Sequence, residues 1–260
     1  MAEVLGKKLL SKYRDFVYSR YGIHYTNGKS EILGMKLKKL VYTRQYSLKD
    51  FYERLISGDL DAQNELLDEI TVGHTFFFRE KAHLSFLVHD ISKKNTVRPI
   101  IWCAASSTGE EPYSIGISLL EHGLRDFIVL SSDINNSSLC AMNKGVYNVN
   151  QFQCTSDELL HKYFFRNDAY TWRVKPVLRQ YLKIKRLNLH DDLNFDQGFD
   201  YIFCRNVMIY FDDEGRRNVV SNLVKNLNPG GTLFVGHTEA MITLPPGMRR
   251  EAPAVFRRLQ

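Results

Sequence analysis

The chain has 260 residues, with 35 Lys+Arg against 29 Asp+Glu, 44% hydrophobic and 25% charged residues. That composition excludes a disordered chain and a disulfide-dependent miniprotein, and no stretch approaches the roughly 20 apolar residues that span a bilayer. Residues 1–49 hold eleven Lys/Arg and only three Asp/Glu, so the positive charge is concentrated at the N-terminal end.

Helical spacing of Val4, Leu5, Leu9, Tyr13, Phe16 and Val17 predicts a first helix. The GIHYTNGK stretch breaks it before a second helix carrying Ile32, Leu33, Leu37, Leu40 and Val41. Ser47, with Asp50 three residues on, marks a third start close to a capping box. Further helices follow through Leu60, Leu66, Leu67 and Ile70, and over AHLSFLVHDI. From Arg98 short apolar runs alternate with helices: PIIWCAA, a helix from Pro112, FIVLSSD, a helix from Asn135, FDYIFCRN, a helix from Asp213, and GTLFVGH. This alternation predicts βαβ units and a doubly wound, Rossmann-like α/β domain with a parallel sheet. AYTWRVKPVLRQYLKIKRL reads as a hairpin of short strands and thus as a small β insertion. The expected organisation is a basic, all-α domain over residues 1–75, then the α/β domain over 76–260 with a β subdomain at about 147–187. The amphipathic start MAEVLGKKLLSKYRDF is unlike a signal peptide, so a cytoplasmic protein, not inserted in a membrane, is expected. Cys103, Cys140, Cys154 and Cys204 have no C-x-x-C or zinc spacing; they read as buried thiols in a reducing compartment, and no metal is expected.

The first strand of the α/β domain runs into Cys103-Ala104-Ala105-Ser106-Ser107-Thr108-Gly109-Glu110-Glu111-Pro112. Small residues between a strand and a helix let a ligand approach the backbone at the helix N-terminus. The run is not G-x-G-x-x-G, and Glu110 and Glu111 would repel phosphate, so an adenosine ligand without phosphates suits it. The competing reading is a plain tight turn. Asp133 ends the second strand, where Rossmann-like sites place a carboxylate on ribose hydroxyls. Its rival role is to cap the helix beginning at Asn135. FDYIFCRN delivers Arg205 and Asn206 to the same sheet edge, and Tyr210 follows just beyond, either facing the reacting group or satisfied by backbone as a half-buried Tyr.

Phe199-Asp200-Tyr201-Ile202-Phe203-Cys204-Arg205-Asn206-Val207-Met208-Ile209-Tyr210-Phe211-Asp212 closely resembles the signature of the CheR family, S-adenosylmethionine-dependent methyltransferases that esterify glutamates of bacterial chemotaxis receptors. Thr75-Phe76-Phe77-Phe78-Arg79-Glu80, WCAASSTGEEPYS, Ser132-Asp133-Ile134, and Leu227-Asn228-Pro229-Gly230-Gly231 through Gly236-His237-Thr238-Glu239 agree in order, and SRYGI and SLKDFYERL resemble the family's helical module. The resemblance implies S-adenosylmethionine as cofactor and S-adenosylhomocysteine as product. It places Thr75, Arg79, Ala105, Glu111, Asp133, Asn188, Leu189, Arg205 and Asn206 at cofactor contacts, and Arg79 and Tyr210 nearest the transferred methyl. The implied partner is the cytoplasmic domain of a methyl-accepting receptor, whose acidic coiled coil the basic second helix would meet through Lys36, Lys39 and Arg44. A solvated helix face is the competing reading for that charge run.

The chain departs from the family pattern twice. Gly73 stands where the pattern has Asn, with His74 between it and Thr75, so one cofactor hydrogen bond is expected to be missing or replaced. NDAYTWRV is shorter than in members that grip a receptor's C-terminal pentapeptide and lacks their Gly-rich turn, so tethering through that peptide is not expected. Three alternatives accompany the receptor methyltransferase: a non-catalytic module binding S-adenosylmethionine or S-adenosylhomocysteine, a methyltransferase with another acceptor, and a nucleic-acid methyltransferase. The last has little support, since no Pro-Pro-Tyr follows Asn206 to stack a flipped base and the basic cluster lacks groove-reading motifs, so no nucleic-acid partner is expected. With no obligate interface stripe, a monomer is expected.

Overall fold

The computed structural model describes residues 6–259, which leaves Val4 and Leu5 of the expected first helix outside the described residues. Two compact units form. One runs up to Val72 and takes in Ile209–Arg216; the other comprises Gly73–Met208 and the chain from Arg217 onward.

The first unit contains α1 (Lys7–Tyr21), α2 (Ser30–Arg44), α3 (Leu48–Ile56) and α4 (Leu60–Ile70). Local chemistry sets their ends. Gly22, at φ 70°, lets its N–H reach the Tyr18 carbonyl at 2.8 Å and closes α1. The Ser47 hydroxyl accepts the Asp50 N–H at 3.0 Å to start α3, and Asp59 accepts the N–H groups of Asp61 and Ala62 to start α4. Tyr13, Val17, Leu33, Leu37, Phe51 and Leu66 are fully buried, whereas Ile32 of the expected apolar set faces solvent.

The second unit opens with α5 (Lys81–Lys94) and is organised by a seven-stranded sheet. Its strands are β1 (Ile100–Ala104), β2 (Ile128–Asp133), β6 (Leu182–Arg186), β7 (Phe199–Cys204), β8 (Leu227–Val235), β9 (Met248–Ala252) and β10 (Val255–Arg258), in the spatial order β6-β2-β1-β7-β8-β10-β9. The pairings among β6, β2, β1, β7 and β8 are parallel, and β10 is antiparallel to both neighbours. Chain order therefore reverses between β1 and β7, which is the position where open α/β sheets bind ligands beyond the carboxyl ends of their strands. The register brings those ends level, with Ala104 opposite both Ser132 and Cys204. Trp102 and Phe203 are fully buried at the sheet centre, as strands covered on both faces require. The connecting helices are α6 (Glu110–Glu121), α7 (Asn136–Lys144) and α10 (Asp213–Lys225), the last starting within the segment assigned to the helical unit.

Between β2 and β6 the chain forms β3 (Val146–Asn148), α8 (Asp157–Tyr163), β4 (Phe164–Arg166), β5 (Thr171–Val174) and α9 (Pro176–Arg179). A separate antiparallel sheet in the order β3-β5-β4 results, resting on stacked Phe77 and Phe152 (4.6 Å between centroids) with Phe164 edge-on to both. The expected hairpin over AYTWRVKPVLRQYLKIKRL is corrected here: β5 belongs to the small sheet, while β6 pairs in parallel with β2 at the edge of the large one. Both strands share a period of two, and that period does not say which partner a strand will find. The lysines of β6 also have a structural use, since charge on an exposed edge blocks further strand pairing. The four cysteines are free, and their expected burial is corrected for Cys140, which is exposed, and Cys154, which is half-buried.

Gly109, at the start of α6, has φ 99°, and a Cβ there would lie 2.3 Å from Cγ and 2.9 Å from Cβ of the fully buried Met142. Gly109→Ala should therefore cost about 2–4 kcal/mol through backbone strain and overpacking. An unchanged denaturant midpoint would show that this turn tolerates a side chain.

Candidate functional site

At the carboxyl end of β1 the backbone leaves ordinary geometry: Ala105 has φ 58°, Ser107 φ 49° and Gly109 φ 99°. Across the crevice, beyond β7, Asn206 has φ 58°, and Phe78 and Glu80 ahead of α5 have φ 58° and 55°. Left-handed conformations at non-glycine residues carry strain that persists only when the surroundings enforce it. Here the surroundings are identifiable. The Ser106 N–H donates to the Ser132 carbonyl at 2.8 Å, and the Ser107 N–H to Asp133 Oδ2 at 2.8 Å. Glu239 accepts the N–H groups of Asn206 and Gly236 on Oε2 (2.8 Å each) and that of Met208 on Oε1 (2.7 Å).

Asp133 accepts the Asn135 N–H on its other oxygen at 2.9 Å, and burial pushes its carboxyl above the usual range against the opposing pull of those N–H groups. The helix that follows is capped by Asn135, whose side chain accepts the Ser138 N–H at 2.9 Å, so Asp133 does not serve as that cap. Three backbone N–H groups, those of Ser107, Ile134 and Asn135, act on this carboxylate, which has about four lone-pair sites in all. Asn188 and the buried Leu189 follow β6, whose Arg186 lies opposite Asp133; the Asn188 side chain donates to Asp191 at 3.0 Å and accepts the His190 N–H at 3.1 Å.

The two adjacent glutamates diverge. Glu110 is fully buried, held by the Thr108 hydroxyl at 2.7 and 3.0 Å and by the Gln151 amide, and burial raises its carboxyl. Glu111 turns to Arg205, which reaches its Oε2 at 2.6 Å. Arg205 is the hub of the crevice. Its side chain is only 2% exposed; it also donates to Glu80 Oε2 at 3.2 Å through Nε and to the Arg79 carbonyl at 2.8 Å through Nη2. Burial is the largest influence on the Glu80 carboxyl and acts to raise it, but the Arg205 guanidinium, His237 and His83 together outweigh it and the group stays below its ordinary value. Thr75 is half-buried, and the Arg79 side chain donates to the His74 carbonyl at 3.0 Å over the Phe76 ring. No acidic partner of Arg79 occurs among the described residues.

Sequence reasoning passed over Glu80, Ser107 and Glu239. Glu80 and Glu239 stand in quoted motifs, yet nothing in their spacing says that each accepts from groups far along the chain. Glu80, His83 and His237 also bring potential metal-ligand atoms within 4.8 Å of one another. Arg205 already neutralises the Glu80 oxygen they would share, so the trio is assigned to the hub and not to a cation. The Ser106 and Ser107 hydroxyls are buried without partners among the described residues, in a loop at the switch point, a donor set suited to an adenosyl ligand without phosphates.

In the helical unit, the Tyr210 carbonyl accepts the His24 N–H at 2.8 Å. Burial pushes the Tyr25 hydroxyl up to about 12, with Tyr210 adding to the effect. The predicted partner-facing bases are engaged at home. Lys36 donates to the Glu69 and Ile70 carbonyls at 2.9 and 3.2 Å, ending α4; Lys39 pairs with Glu69 at 3.0 Å and Arg44 with Glu65 at 3.4 Å.

A doubly wound sheet with the strained loop after β1, the buried Asp133 carboxylate and the Arg205 hub at its switch point fits one class, the S-adenosylmethionine-dependent methyltransferases. The family model described as CheR methyltransferase, SAM binding domain, matches residues 73–251. A chemotaxis protein methyltransferase of Borreliella burgdorferi is 33% identical over 255 residues, covering 91% of this chain and 89% of that protein. Chemotaxis protein methyltransferase 2 of Vibrio cholerae is 32% identical over 88% of this chain and 84% of its own. The corresponding protein of Escherichia coli is 33% identical over 86% and 81%. The chain belongs to the CheR methyltransferase family. Among the described residues no helix is long and apolar enough to cross a membrane.

His83 is buried under Phe234 and His237, and burial, reinforced by the Arg205 charge, lowers its imidazole to about 4. The folded-state value lies below the unfolded one, so the unfolded chain takes up the proton first and stability falls as pH drops from about 6.5 towards 4. His83→Leu should remove roughly 2–3 kcal/mol of that decline. Identical pH profiles of the melting temperature for the two proteins would show that His83 does not titrate with unfolding.

Proposed function

We propose that this methyltransferase acts in the cytoplasm as a monomer, esterifying glutamate side chains on the cytoplasmic domains of chemotaxis receptors and forming glutamyl methyl esters for sensory adaptation. The observation that carries the reading is the Arg205 hub, which ties the Arg79 backbone and Glu111 to the strand end that continues along the chain to Tyr210. Residues 1–75 serve as the receptor-contacting module and 76–260 as the catalytic one, with the β3-β5-β4 sheet inserted between β2 and β6.

When bound, S-adenosylmethionine supplies a methyl group on an electrophilic sulfonium. Asp133 would hold its ribose, with Thr75, Ala105, Asn188, Leu189 and Asn206 around it. Arg205 acts by fixing Glu111 and the Arg79 carbonyl, because its guanidinium is committed to them. The acceptor glutamate is ionised at pH 7, so no general base is needed and alignment supplies the acceleration. Arg79 holds the carboxylate by a single point, since a bidentate grip would withdraw charge from both oxygens, and the Tyr210 hydroxyl steadies the oxygen that does not attack.

Receptor recognition falls to Lys39 and Arg44. Their side chains are 72% and 53% exposed, and pairs that open to water are worth about 0–1 kcal/mol, so an acidic coiled coil can replace their present partners. Lys36 stays with α4. Tethering through a receptor C-terminal pentapeptide is not part of the reading: Asp168 closes the β4–β5 turn by accepting the Tyr170 and Thr171 N–H groups at 2.8 and 2.9 Å, without a Gly-rich extension.

Asp133→Ala should weaken S-adenosylhomocysteine binding by about 1–3 kcal/mol, and calorimetry showing unchanged affinity would remove Asp133 from the site. Arg79→Ala and Tyr210→Phe should lower the rate of base-labile methyl labelling of receptor fragments at least tenfold while the proteins stay folded. Wild-type rates in both would refute carboxylate positioning. Cofactor binding by the wild-type chain without transfer to any fragment would favour the non-catalytic module instead.

A further inference from the structure

We propose that the Ser107 hydroxyl is a binding contact for the S-adenosyl cofactor, and that Gly73 is the residue that leaves it free to act. The proposal rests on the crevice being the cofactor site. Three observations support it. Ser107 Oγ is buried and has no hydrogen-bond partner among the described residues, whereas buried hydroxyls ordinarily find one. Its backbone sits at φ 49°, pinned by the bond from its own N–H to Asp133 Oδ2 at 2.8 Å, so the place from which the side chain starts is imposed from outside the residue. Its neighbour across the gap is Gly73, where a Cβ would stand 3.1 Å from Ser107 Oγ.

A Cβ at position 73 therefore requires that hydroxyl to give by a few tenths of an ångström. This is the position where the chain lacks the Asn of the family pattern, and the replacement lies on the facing loop. His74, the other candidate to supply the contact, is engaged elsewhere: its carbonyl accepts from Arg79 and its ring packs edge-on against Phe76 at 6.4 Å. A hydroxyl that can donate and accept, on a residue whose backbone is tied to the Asp133 carboxylate, suits the hydroxyl, amino or carboxylate groups of an S-adenosyl compound.

The test is isothermal titration of the full chain with S-adenosylhomocysteine, for wild type, Ser107→Ala, Gly73→Ala and the double variant, alongside thermal unfolding without ligand. Ser107→Ala should bind about three- to tenfold more weakly, the equivalent of one neutral hydrogen bond, while its ligand-free melting temperature does not fall. Gly73→Ala should weaken binding by crowding the hydroxyl, and should cost less when Ser107 is already Ala, because the two act through one contact. Wild-type affinity in Ser107→Ala overturns the proposal, as does a fall in ligand-free stability with affinity unchanged, which would assign the hydroxyl to loop packing. Failure of the wild-type chain itself to bind would instead overturn the cofactor reading on which the proposal rests.

Discussion

A single buried guanidinium organises the catalytic unit. Arg205, at the end of β7, is held between Glu80 and Glu111, and its remaining donor reaches the Arg79 carbonyl. Two carboxylates and one guanidinium out of water are tolerable only if each is partnered, because a lone buried charge costs several kcal/mol. That requirement is geometric as well as energetic. It fixes the start of α6, the approach to α5 and the end of a central strand relative to one another, and these three elements frame the crevice.

Around this hub the backbone is held in unfavourable conformations that glycine would adopt freely. Ala105, Ser107, Phe78, Glu80 and Asn206 all have positive φ. Asp133 holds Ser107 and Glu239 holds Asn206, each a carboxylate accepting N–H groups of irregular backbone, while the Phe78 N–H donates to the Ser114 hydroxyl at 2.9 Å. Such strain is maintained where a loop must present its N–H and side-chain groups to a ligand without rearranging when the ligand arrives. Asp133 is thereby a scaffold for the loop, a role found in neither sequence reading of it, since the helix that follows is capped by Asn135.

The helical unit illustrates the opposite situation. Its basic stripe reads from sequence as a receptor-facing surface, yet Lys36 closes α4 and Lys39 and Arg44 pair with its glutamates. Spacing places residues on a helix face but does not say which neighbouring helix that face meets. Burial lowers the Lys36 ammonium below its ordinary value, a sign that it belongs to the packing and not to solvent.

The sequence by itself determined the class of fold, the alternation of its principal strands and helices as far as β8, and the family. Hydrophobic periods, the helix start at Ser47, and the long CheR signature are local features, and local features survive in one dimension. What only the tertiary structure decided is how groups distant along the chain share one place. Arg205 meets Glu80 across 125 residues, Glu110 and Glu111 part company although adjacent, β6 joins the large sheet where a hairpin is expected, and the Ser107 hydroxyl is left orphaned opposite Gly73. The physical reason is the same in each case: charge pairing, strand partnering and hydroxyl satisfaction depend on distances and burial, which no spacing along the chain encodes.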